Sequence, residues 1–400
     1  MASSVSSPRV IPVSTSGVAL LHADFLLLGI VMTFLGPMLP QLSARWSLND
    51  ASAGGLIFAQ FFSSMFGMLL SGTLVQRIGY RLTLIIGLVL MAAGMVMIAS
   101  GPWLLGIVAV CTLGVGYGVT SPAGNLRTAE VNPERSASAL NVINAVWGLG
   151  AMSSPFLIAI AQRVHRPVLF LYGTAAALLT LLLIMAAVRF VPDTRSEISH
   201  DGKKSSRLWT NPMLPVICLL FFVYVGTETC FGQWVATYAR RIETGAHWLA
   251  TITPSFFWGA LLVGRALAPF ALKFRSELTV ARAGLVSALL GGVSLVAAHG
   301  MAMIVVGSLL AGLGLASIFP ISVSLLPNWF GTSARQASSL VFASGNTGGA
   351  VLPWILGAVS AHYLSLRLAF CVPMAGAGAM LIFYLVSRAS SHTPRAVALP

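Results

Sequence analysis

The chain has 400 residues, of which 57% are hydrophobic and only 8% are charged, and its formal net charge is +13. A soluble domain has roughly a quarter of its residues charged, so this composition excludes a water-soluble globular protein. The basic excess could indicate nucleic acid, but basic loops of a membrane chain more often reflect topology, and we expect no nucleic-acid partner.

Long apolar runs separated by short polar loops follow one another along the whole chain. A bilayer core of about 30 Å requires roughly 20 apolar residues in a helix, and continuous runs favour helices over a transmembrane barrel. We therefore predict an all-α polytopic protein that crosses the lipid bilayer twelve times. The predicted spans are 18–42, 53–76, 80–100, 103–127, 138–162, 167–191, 213–239, 248–272, 279–298, 301–326, 337–361 and 366–388.

Basic residues are distributed unevenly between the two sides of the membrane. With residues 1–17 inside the cell, that side holds 16 Lys and Arg, the other side holds 6, and one lies within a span. Because cytoplasmic loops are enriched in Lys and Arg, we predict a multi-pass protein of the cell (inner) membrane with both termini in the cytoplasm. Residues 1–17 show no short apolar stretch closed by a small-residue cleavage site, so we expect no removable signal peptide.

The longest polar stretch divides the predicted spans into two equal sets. Residues 192–212 separate six-helix bundles at 18–191 and 213–388, and residues 389–400 form a C-terminal tail. We interpret 192–212 as a cytoplasmic linker between the bundles. Two bundles of this kind favour a transporter whose site lies between the halves, near the midplane of the membrane.

The fourth and tenth predicted spans share a pattern of glycine and proline. TLGVGYGVTSPAG at 112–124 corresponds to LAGLGLASIFPIS at 310–322 with an offset of 198 residues. Such residues set where helices bend and how closely they approach, so a parallel repeat is one interpretation. A chance likeness of two Gly-rich helices is the alternative. The matching pairs are Gly114 with Gly312, Gly116 with Gly314, and Pro122 with Pro320.

The first two spans contain two polar candidates. Asp24 follows His22 one or two turns inside the first span, where water and snorkelling reduce the cost of a charge. An interfacial or gate-pairing role and a role in proton coupling are both open for Asp24. Gln60 in the second span is a candidate ligand of the solute, with helix packing as the alternative.

The loop after the second span reads GTLVQRIGYR at 72–81 and resembles the cytoplasmic signature of the major facilitator superfamily. Gln76 replaces the usual Asp, and Tyr80 replaces the first residue of the closing basic pair. The resemblance implies a transporter that works by alternating access, with this loop in its cytoplasmic gate. Because Gln76 has no charge, we expect a weaker lock. The matching residues are Gly72, Arg77, Gly79 and Arg81.

The loop after the fourth span, EVNPER at 130–135, is similar to the acidic and basic loop of the same family. This similarity implies that Glu130 and Arg135 are ion-pair partners in the cytoplasmic gate.

Amide side chains cluster in the fourth and fifth spans. Asn141, Asn144 and Gly148 share one face of the fifth helix, Trp147 lies at its flank, and Asn125 follows the proline of the fourth span. An uncharged amide both donates to and accepts from hydroxyl groups, so these residues are candidate solute ligands. Hydrogen bonding between helices is the alternative.

The stretch VYVGTETCFGQWVATY at 223–238 resembles the seventh helix of the fucose–galactose–glucose permease branch of the superfamily. Similar stretches are ALNVINAVWGLG at 139–150 and GLGLASIFP at 312–320. The resemblance implies a sugar or a related hydroxylated solute. The branch's fucose permeases have an acid deep in the first helix, whereas 29–42 has none, so that proton mechanism is not transferred to this chain.

Glu228 lies in the middle of this seventh span. A lipid-facing carboxylate at that depth costs several kcal/mol, so we expect Glu228 to face the bundle interior, where it binds the solute or a proton. A structural hydrogen bond to a neighbouring helix is the alternative. Gln233 and Trp234 would complete a sugar site with Glu228, but they reach its face only if the helix breaks near Gly226 or Gly232.

Three further spans contain isolated polar or aromatic candidates. Arg265 in the eighth span requires an acid or helix-end carbonyls as its partner. Asn346 in the eleventh span is a candidate ligand or a packing residue. Trp258 and Trp354 are either aromatic plates for a sugar or interior filler, and we favour filler.

Motifs of ATP hydrolysis and of membrane enzymes are absent. The chain has no Walker P-loop, no His-Glu-x-x-His zinc motif and no Gly-x-Ser-x-Gly elbow, so we expect no enzyme, no cofactor and no metal. We therefore predict a monomeric importer of a small sugar, coupled to H⁺ through Glu228. A proton-coupled exporter of drugs or metabolites is the alternative, and a sensor that binds without transport is a third.

Overall fold

The computed structural model describes residues 15–188, 206–242, 245 and 247–386. These residues form helices with short connections and no strand, which confirms the predicted all-α fold. The predictions on the tails and on most of the linker lie outside the described residues.

Fifteen α-helices and two short 3₁₀ turns, Pro133–Arg135 and Gly331–Ser333, make up the described chain. The α-helices are α1 (Thr15–Thr33), α2 (Leu35–Trp46), α3 (Asp50–Ser100), α4 (Trp103–Val131), α5 (Ser136–Arg163), α6 (Val168–Ala187), α7 (Ser206–Trp209), α8 (Met213–Ile242), α9 (His247–Phe274), α10 (Glu277–Val296), α11 (Met301–Leu315), α12 (Ile318–Phe330), α13 (Ala334–Tyr363), α14 (Leu366–Ala369) and α15 (Cys371–Val386).

Ten helical segments in the described chain are long and apolar enough to cross a membrane, and the bent pair of α1 and α2 adds an eleventh. Helix α3 has 51 residues, about 77 Å in length, which is more than twice the thickness of the hydrocarbon core. Its geometry is interrupted at Gly79, with φ of 81° and ψ of 169°. Glycine tolerates this positive φ. We count α3 as two spans, which brings the described total to twelve.

The first span is bent by 43° between α1 and α2. Pro37 has no N–H to donate to the carbonyl of Thr33, four residues earlier. The main-chain bonds across the bend run from Phe34 to Ile30 and from Met38 to Phe34, each at 3.1 Å. The bend therefore leaves carbonyl oxygens near its centre available to side-chain donors.

The repeated glycines make equivalent contacts in the two halves. A Cβ on Gly114 of α4 would lie 2.4 Å from the carbonyl oxygen of Gln60 on α3, and a Cβ on Gly312 of α11 would lie 2.2 Å from that of Phe257 on α9. Only glycine allows this approach of two backbones. The same kind of contact joins Gly116 to Gly87 and Gly314 to Gly284.

The two halves meet mainly along three helix pairs, α2 with α8, α3 with α13, and α5 with α9, and α2 makes a smaller contact with α9. We call the side on which α1 begins the inner side and the opposite side the outer side. Near the outer side, Thr251 of α9 donates to Gln162 of α5 at 2.7 Å. One turn deeper, Ser255 of α9 donates to the carbonyl of Met152 at 2.7 Å.

Further toward the inner side, Gly148 of α5 also contacts α9. A Cβ on Gly148 would lie 3.0 Å from the side chain of Leu262 on α9. Asn144 and Asn141, one and two turns further on the same face of α5, are exposed. We interpret the exposure of these two amides as the inner mouth of a cavity between the halves.

Candidate solute site

Glu228 and Arg265 form an ion pair between α8 and α9, with side chains that are 10% and 29% exposed. The guanidinium Nη2 of Arg265 lies 3.3 Å from Glu228 Oε1 and 3.2 Å from the hydroxyl oxygen of Tyr224, one turn before Glu228. Arg265 also lies over the ring of Phe319 at 5.8 Å. Two opposite charges are tolerated inside the membrane because each is the partner of the other.

Amides of the other half face the cavity from α4 and α5. Asn144 donates to Asn125 Oδ1 at 3.2 Å and to the carbonyl of Leu140 at 2.8 Å, and Asn141 is exposed one turn nearer the inner side. The pairing of Asn144 with Asn125 joins α5 to α4, so these amides act as a bond between helices. Both amides keep further donor and acceptor capacity for a solute.

Two tryptophans from different halves meet where α5 packs against α9. The rings of Trp147 and Trp258 lie 5.8 Å apart at 84°, an edge-to-face arrangement. The hydroxyl of Tyr117 on α4 lies near Trp147 and within electrostatic range of Glu228. Tyr117 is therefore a side chain of the first half that lies near both Trp147 and Glu228.

Gln60 and Gln233 are sealed between helices rather than open to the cavity. Their exposed fractions are 0% and 1%. Gln60 Nε2 donates to the carbonyl of Val31 at 3.1 Å, and Gln233 Nε2 donates to that of Met32 at 3.2 Å. Both bonds satisfy carbonyls at the bend of the first span. In this conformation the prediction that the two glutamines line the solute cavity is wrong.

Trp234 is also buried, and the helix break that would bring it to Glu228 does not form. Helix α8 is continuous from Met213 to Ile242, so Gln233 and Trp234 stay on other faces of the helix. The indole of Trp234 donates to the carbonyl of Pro353 on α13 at 3.0 Å. Continuous packing of α8 against α13 outweighs the flexibility that Gly226 and Gly232 suggested.

Asn346 lies at the interface of α13 with α3. Its amide donates to the carbonyl of Phe342 and contacts the sulfur of Met68, each at 3.2 Å. The side chain is partly exposed. It therefore packs between the halves, at the lowest level at which α3 and α13 are bonded.

Asp24 is completely buried in α1, and neither carboxylate oxygen has a hydrogen-bond partner. His22 does not reach it, because His22 Nδ1 bonds to the carbonyl of Val18 at 2.7 Å. The expected interfacial position, with water and snorkelling around the carboxyl group, is wrong, since α1 packs this face against the neighbouring helices of its own half.

The predicted inner gate has different partners from those expected. Glu130 accepts from Tyr80 at 2.5 Å and lies 3.6 Å from Arg127, so its predicted pairing with Arg135 is replaced. Arg81 donates to the carbonyls of Met185 and Ala186 at the end of α6. The remaining signature side chains, Gln76 and Arg77, are exposed, and Gly72 lies in open space.

The pairing of Arg265 with Glu228 was not predicted from the sequence. The signal was present, because Arg265 is the one basic residue more than a turn from either end of its predicted span, and Glu228 lies in the middle of another. Opposite charges at similar depth attract. In the described residues no group of three or more His, Cys, Asp or Glu is arranged to hold a metal ion.

The family of the chain follows from comparison with known proteins. The sequence model of the Major Facilitator Superfamily matches residues 25–285. A glucose/galactose transporter of Brucella abortus biovar 1 (strain 9-941) is 27% identical over 379 residues, which cover 88% of this chain and 89% of that protein. The glucose/mannose transporter GlcP of Bacillus subtilis (strain 168) is 25% identical over 357 residues, which cover 84% of this chain and 86% of that protein.

A solved structure has the same fold. The crystal structure of the E. coli fucose:proton symporter FucP superposes with a TM-score of 0.63 at 21% identity, covering 93% of this chain and 98% of that one. Together with the two-bundle helical architecture, the family match identifies the chain as a membrane transporter rather than an enzyme: it belongs to the Major Facilitator Superfamily.

Proposed function

We propose that this transporter carries a neutral sugar across the membrane by alternating access, in symport with protons. The observation that supports this most directly is the Glu228–Arg265 pair, which places both signs of charge, without net charge, between α8 and α9 within the membrane-spanning part of the chain. Relatives named as glucose/galactose and glucose/mannose transporters support the same class of solute.

Recognition of hydroxyl groups follows from the donors and acceptors of the site. A sugar hydroxyl donates to Glu228 or accepts from Arg265, and Asn144 on the opposite wall offers either role. The rings of Trp147 and Trp258 supply apolar surface for the C–H face of a sugar. A solute bound between these groups touches both halves, so it can stabilise the closing of one half on the other.

Proton coupling is assigned to Glu228. While Glu228 is ionised it balances the charge of Arg265, and protonation removes that balance. The protonation state of Glu228 therefore changes which hydrogen bonds Arg265 can offer to a solute. The named proton symporter FucP supports this mode of coupling by its fold alone.

Asp24 is the second proposed proton carrier. A charged carboxylate with no partner in apolar surroundings is costly, so the neutral form suits this conformation. Asp24 lies on the inner half of the first span, between the site and the inner side. We therefore propose that Asp24 holds a proton while the cavity is open to the inner side.

We place the protein in the cell (inner) membrane with its inner side toward the cytoplasm. The basic residues of the loops support this orientation. Charged residues at the bend after α3's first span, such as Arg77, then lie on the cytoplasmic face. We propose a monomer as the working unit.

Transport by the purified full-length protein in liposomes tests the proposal. Uptake of labelled glucose, galactose, mannose and fucose is measured with and without an imposed acid-outside gradient. We expect at least one of these sugars to accumulate only with the gradient. Glu228→Gln should abolish accumulation but spare sugar exchange, whereas the control Glu134→Gln, on the exposed turn Pro133–Arg135, should behave as wild type.

Two results would contradict the proposal in different ways. Accumulation by the Glu228→Gln protein would show that Glu228 is not the coupling acid. Extrusion of a cationic drug without movement of any sugar would identify an exporter instead.

A further inference from the structure

A groove of about 470 Å³ runs between α5 and α11, with α9 as its floor. Its lining is apolar apart from Ser255, whose hydroxyl group already donates to the carbonyl of Met152. A space of this kind offers water no hydrogen-bond partner. A hydrocarbon chain is therefore the occupant that suits the groove.

The groove faces the lipid rather than the space between the halves. Trp258 meets Trp147 on one side of the contact of α9 with α5. Gly259 lies on that contact, against a side chain of α5, and Ala260, the next residue, lines the groove on the other side. Val263, one turn further along the groove, is exposed. The bilayer therefore supplies the chain that fills the groove.

The depth of the groove matches the outer leaflet. Ser255 and Val263 line its two ends on α9, and they lie about 12 Å and about 24 Å along the helix from its first residue, His247. A membrane is about 40–45 Å thick with its headgroup layers, and its hydrocarbon core is about 30 Å thick. The groove therefore lies in the hydrocarbon of the outer leaflet and ends near the midplane.

A cation and an aromatic ring from different halves lie above the outer end of the groove. The guanidinium of Arg163, the last residue of α5, lies 4.8 Å from the ring centre of Trp248 at the start of α9. Arg163 comes seven residues after Phe156, and Trp248 comes seven residues before Ser255. Residues seven apart share a helix face, and tryptophan and arginine are typical of the headgroup layer. A lipid whose chain fills the groove therefore has its phosphate beside this pair.

The charge around the pair favours an anionic headgroup. Arg163 is exposed and takes part in none of the ion pairs found among the described residues. His165 and Arg166 follow it and His247 precedes Trp248, and all three are exposed. A guanidinium donates charge-assisted hydrogen bonds to phosphate, and basic pockets between transmembrane helices bind anionic lipid headgroups.

We propose that the outer ends of α5 and α9 bind one anionic phospholipid, with its phosphate on Arg163 and Trp248 and one acyl chain in the groove. Helix α5 belongs to the first half, whereas α9 and α11 belong to the second. The site is therefore complete only while the outer ends of the halves are together. The inference holds for any transported solute.

Titration of the purified full-length protein in detergent with dioleoylphosphatidylglycerol tests the site, with zwitterionic dioleoylphosphatidylcholine for comparison. Native mass spectrometry counts the bound lipids and gives their affinities. We expect the wild type to bind one phosphatidylglycerol more tightly than any phosphatidylcholine. Arg163→Gln should weaken this binding about tenfold, the effect of one charge-assisted hydrogen bond.

Filling the groove tests its apolar part. A Cβ on Gly259 would meet only the flexible side chain of Met152, at 3.1 Å from its sulfur. Gly259→Leu therefore places a side chain in the groove and should abolish the tight binding. Should Gly259→Leu not fold, Val263→Phe narrows the same groove from an exposed position.

Each change has a matched control. Arg240→Gln removes the same charge at the end of α8, outside the lining of the groove. Gly173→Leu adds the same side chain to a glycine of α6 that has open space at its Cβ position. Both control variants should bind phosphatidylglycerol as the wild type does.

Three results would overturn the proposal. The first is a wild type that binds no phosphatidylglycerol more tightly than phosphatidylcholine. The second is tight binding that survives in Arg163→Gln or in the variants that fill the groove. Phosphatidylglycerol should also raise the melting temperature, because it binds the folded protein. The third is an equal rise with inorganic phosphate alone, which would assign the basic cluster to a free anion.

Discussion

An ion pair between Arg241 and Asp50, which we call the latch, joins the two halves at the outer side. Breaking the latch should shift the transporter toward its outward-open form. Both terminal nitrogens of Arg241, at the end of α8, donate to the carboxylate of Asp50, at 2.9 and 2.5 Å. Ser360 of α13 donates to the same carboxylate at 2.5 Å. Asp50 begins α3 in the first half, so the latch must open before the outer ends of the halves can separate.

The exposure of the pair sets the size of the effect. The Arg241 side chain is 46% exposed and that of Asp50 15%, so solvent screens the attraction. Exposed ion pairs stabilise a conformation by roughly 0.2–1 kcal/mol. The bidentate geometry of Arg241 with Asp50 places this pair near the upper end of that range. About 1 kcal/mol corresponds to about a fivefold change in an equilibrium. We therefore expect Arg241→Gln to raise the ratio of outward-open to inward-open protein about fivefold.

Distances between spin labels at the outer ends of the two halves measure this ratio. Labels on cysteines at His165, after α5, and at Tyr363, the last residue of α13, occupy exposed positions. The four native cysteines are first replaced. The long-distance population should grow in Arg241→Gln and stay unchanged in Arg240→Gln, since Arg240 precedes Arg241 and is bonded to none of the described residues.

Ionic strength provides an independent check. Salt screens a pair as exposed as this one, so raising salt should increase the outward-open population of the wild type and leave that of Arg241→Gln nearly constant. Equal distance distributions for wild type and Arg241→Gln at low salt would refute the reasoning, since the latch would then not contribute to closing the outer side.

Three further changes have expected outcomes. Arg265→Gln should leave Glu228 without its charged partner and weaken sugar binding at least tenfold. The double variant Glu228→Gln/Arg265→Gln should lose less binding free energy than the sum of the two single variants. Additive losses in a binding assay would mean that the pair does not act as a unit. Gly118→Val should lower thermal stability strongly, because a Cβ there would lie 2.0 Å from a carbonyl oxygen of α3; an unchanged melting temperature in detergent would contradict the close packing. Tyr80→Phe should lower thermal stability slightly, by about 1 kcal/mol, through loss of its bond to Glu130, and a protein as stable as wild type would show that the bond is not needed.

The spans and the repeat could be predicted because each depends on residues close in the sequence. Hydrophobic length fixes where a helix crosses the membrane, and glycines such as Gly114 and Gly312 set how closely helices approach. The depth of Glu228 also follows from its place in the span. Features that depend only on the depth of a residue in the membrane could therefore be predicted from the sequence.

Pairings between helices could not be predicted, because they depend on which way each side chain points around its helix. Gln60 and Gln233 looked like solute ligands, but the bend at Pro37 provides carbonyls that bind their amides. Asp24 looked interfacial by depth, yet its face is turned to neighbouring helices. In each case a local feature of one helix determined the partner of a residue on another.

The signature loop at 72–81 shows how the loss of a basic residue at position 80 is compensated. Tyr80 replaces a basic residue, and its hydroxyl binds Glu130 of α4, while Arg81 binds the end of α6. These bonds connect helices of the same half and therefore stiffen that half rather than lock it to the other. Two bonds that join the halves, from Gln233 to Met32 and from Arg241 to Asp50, lie nearer the outer side. A half that stays rigid while bonds at one side break and re-form moves as a single body, which is what alternating access about a central solute requires.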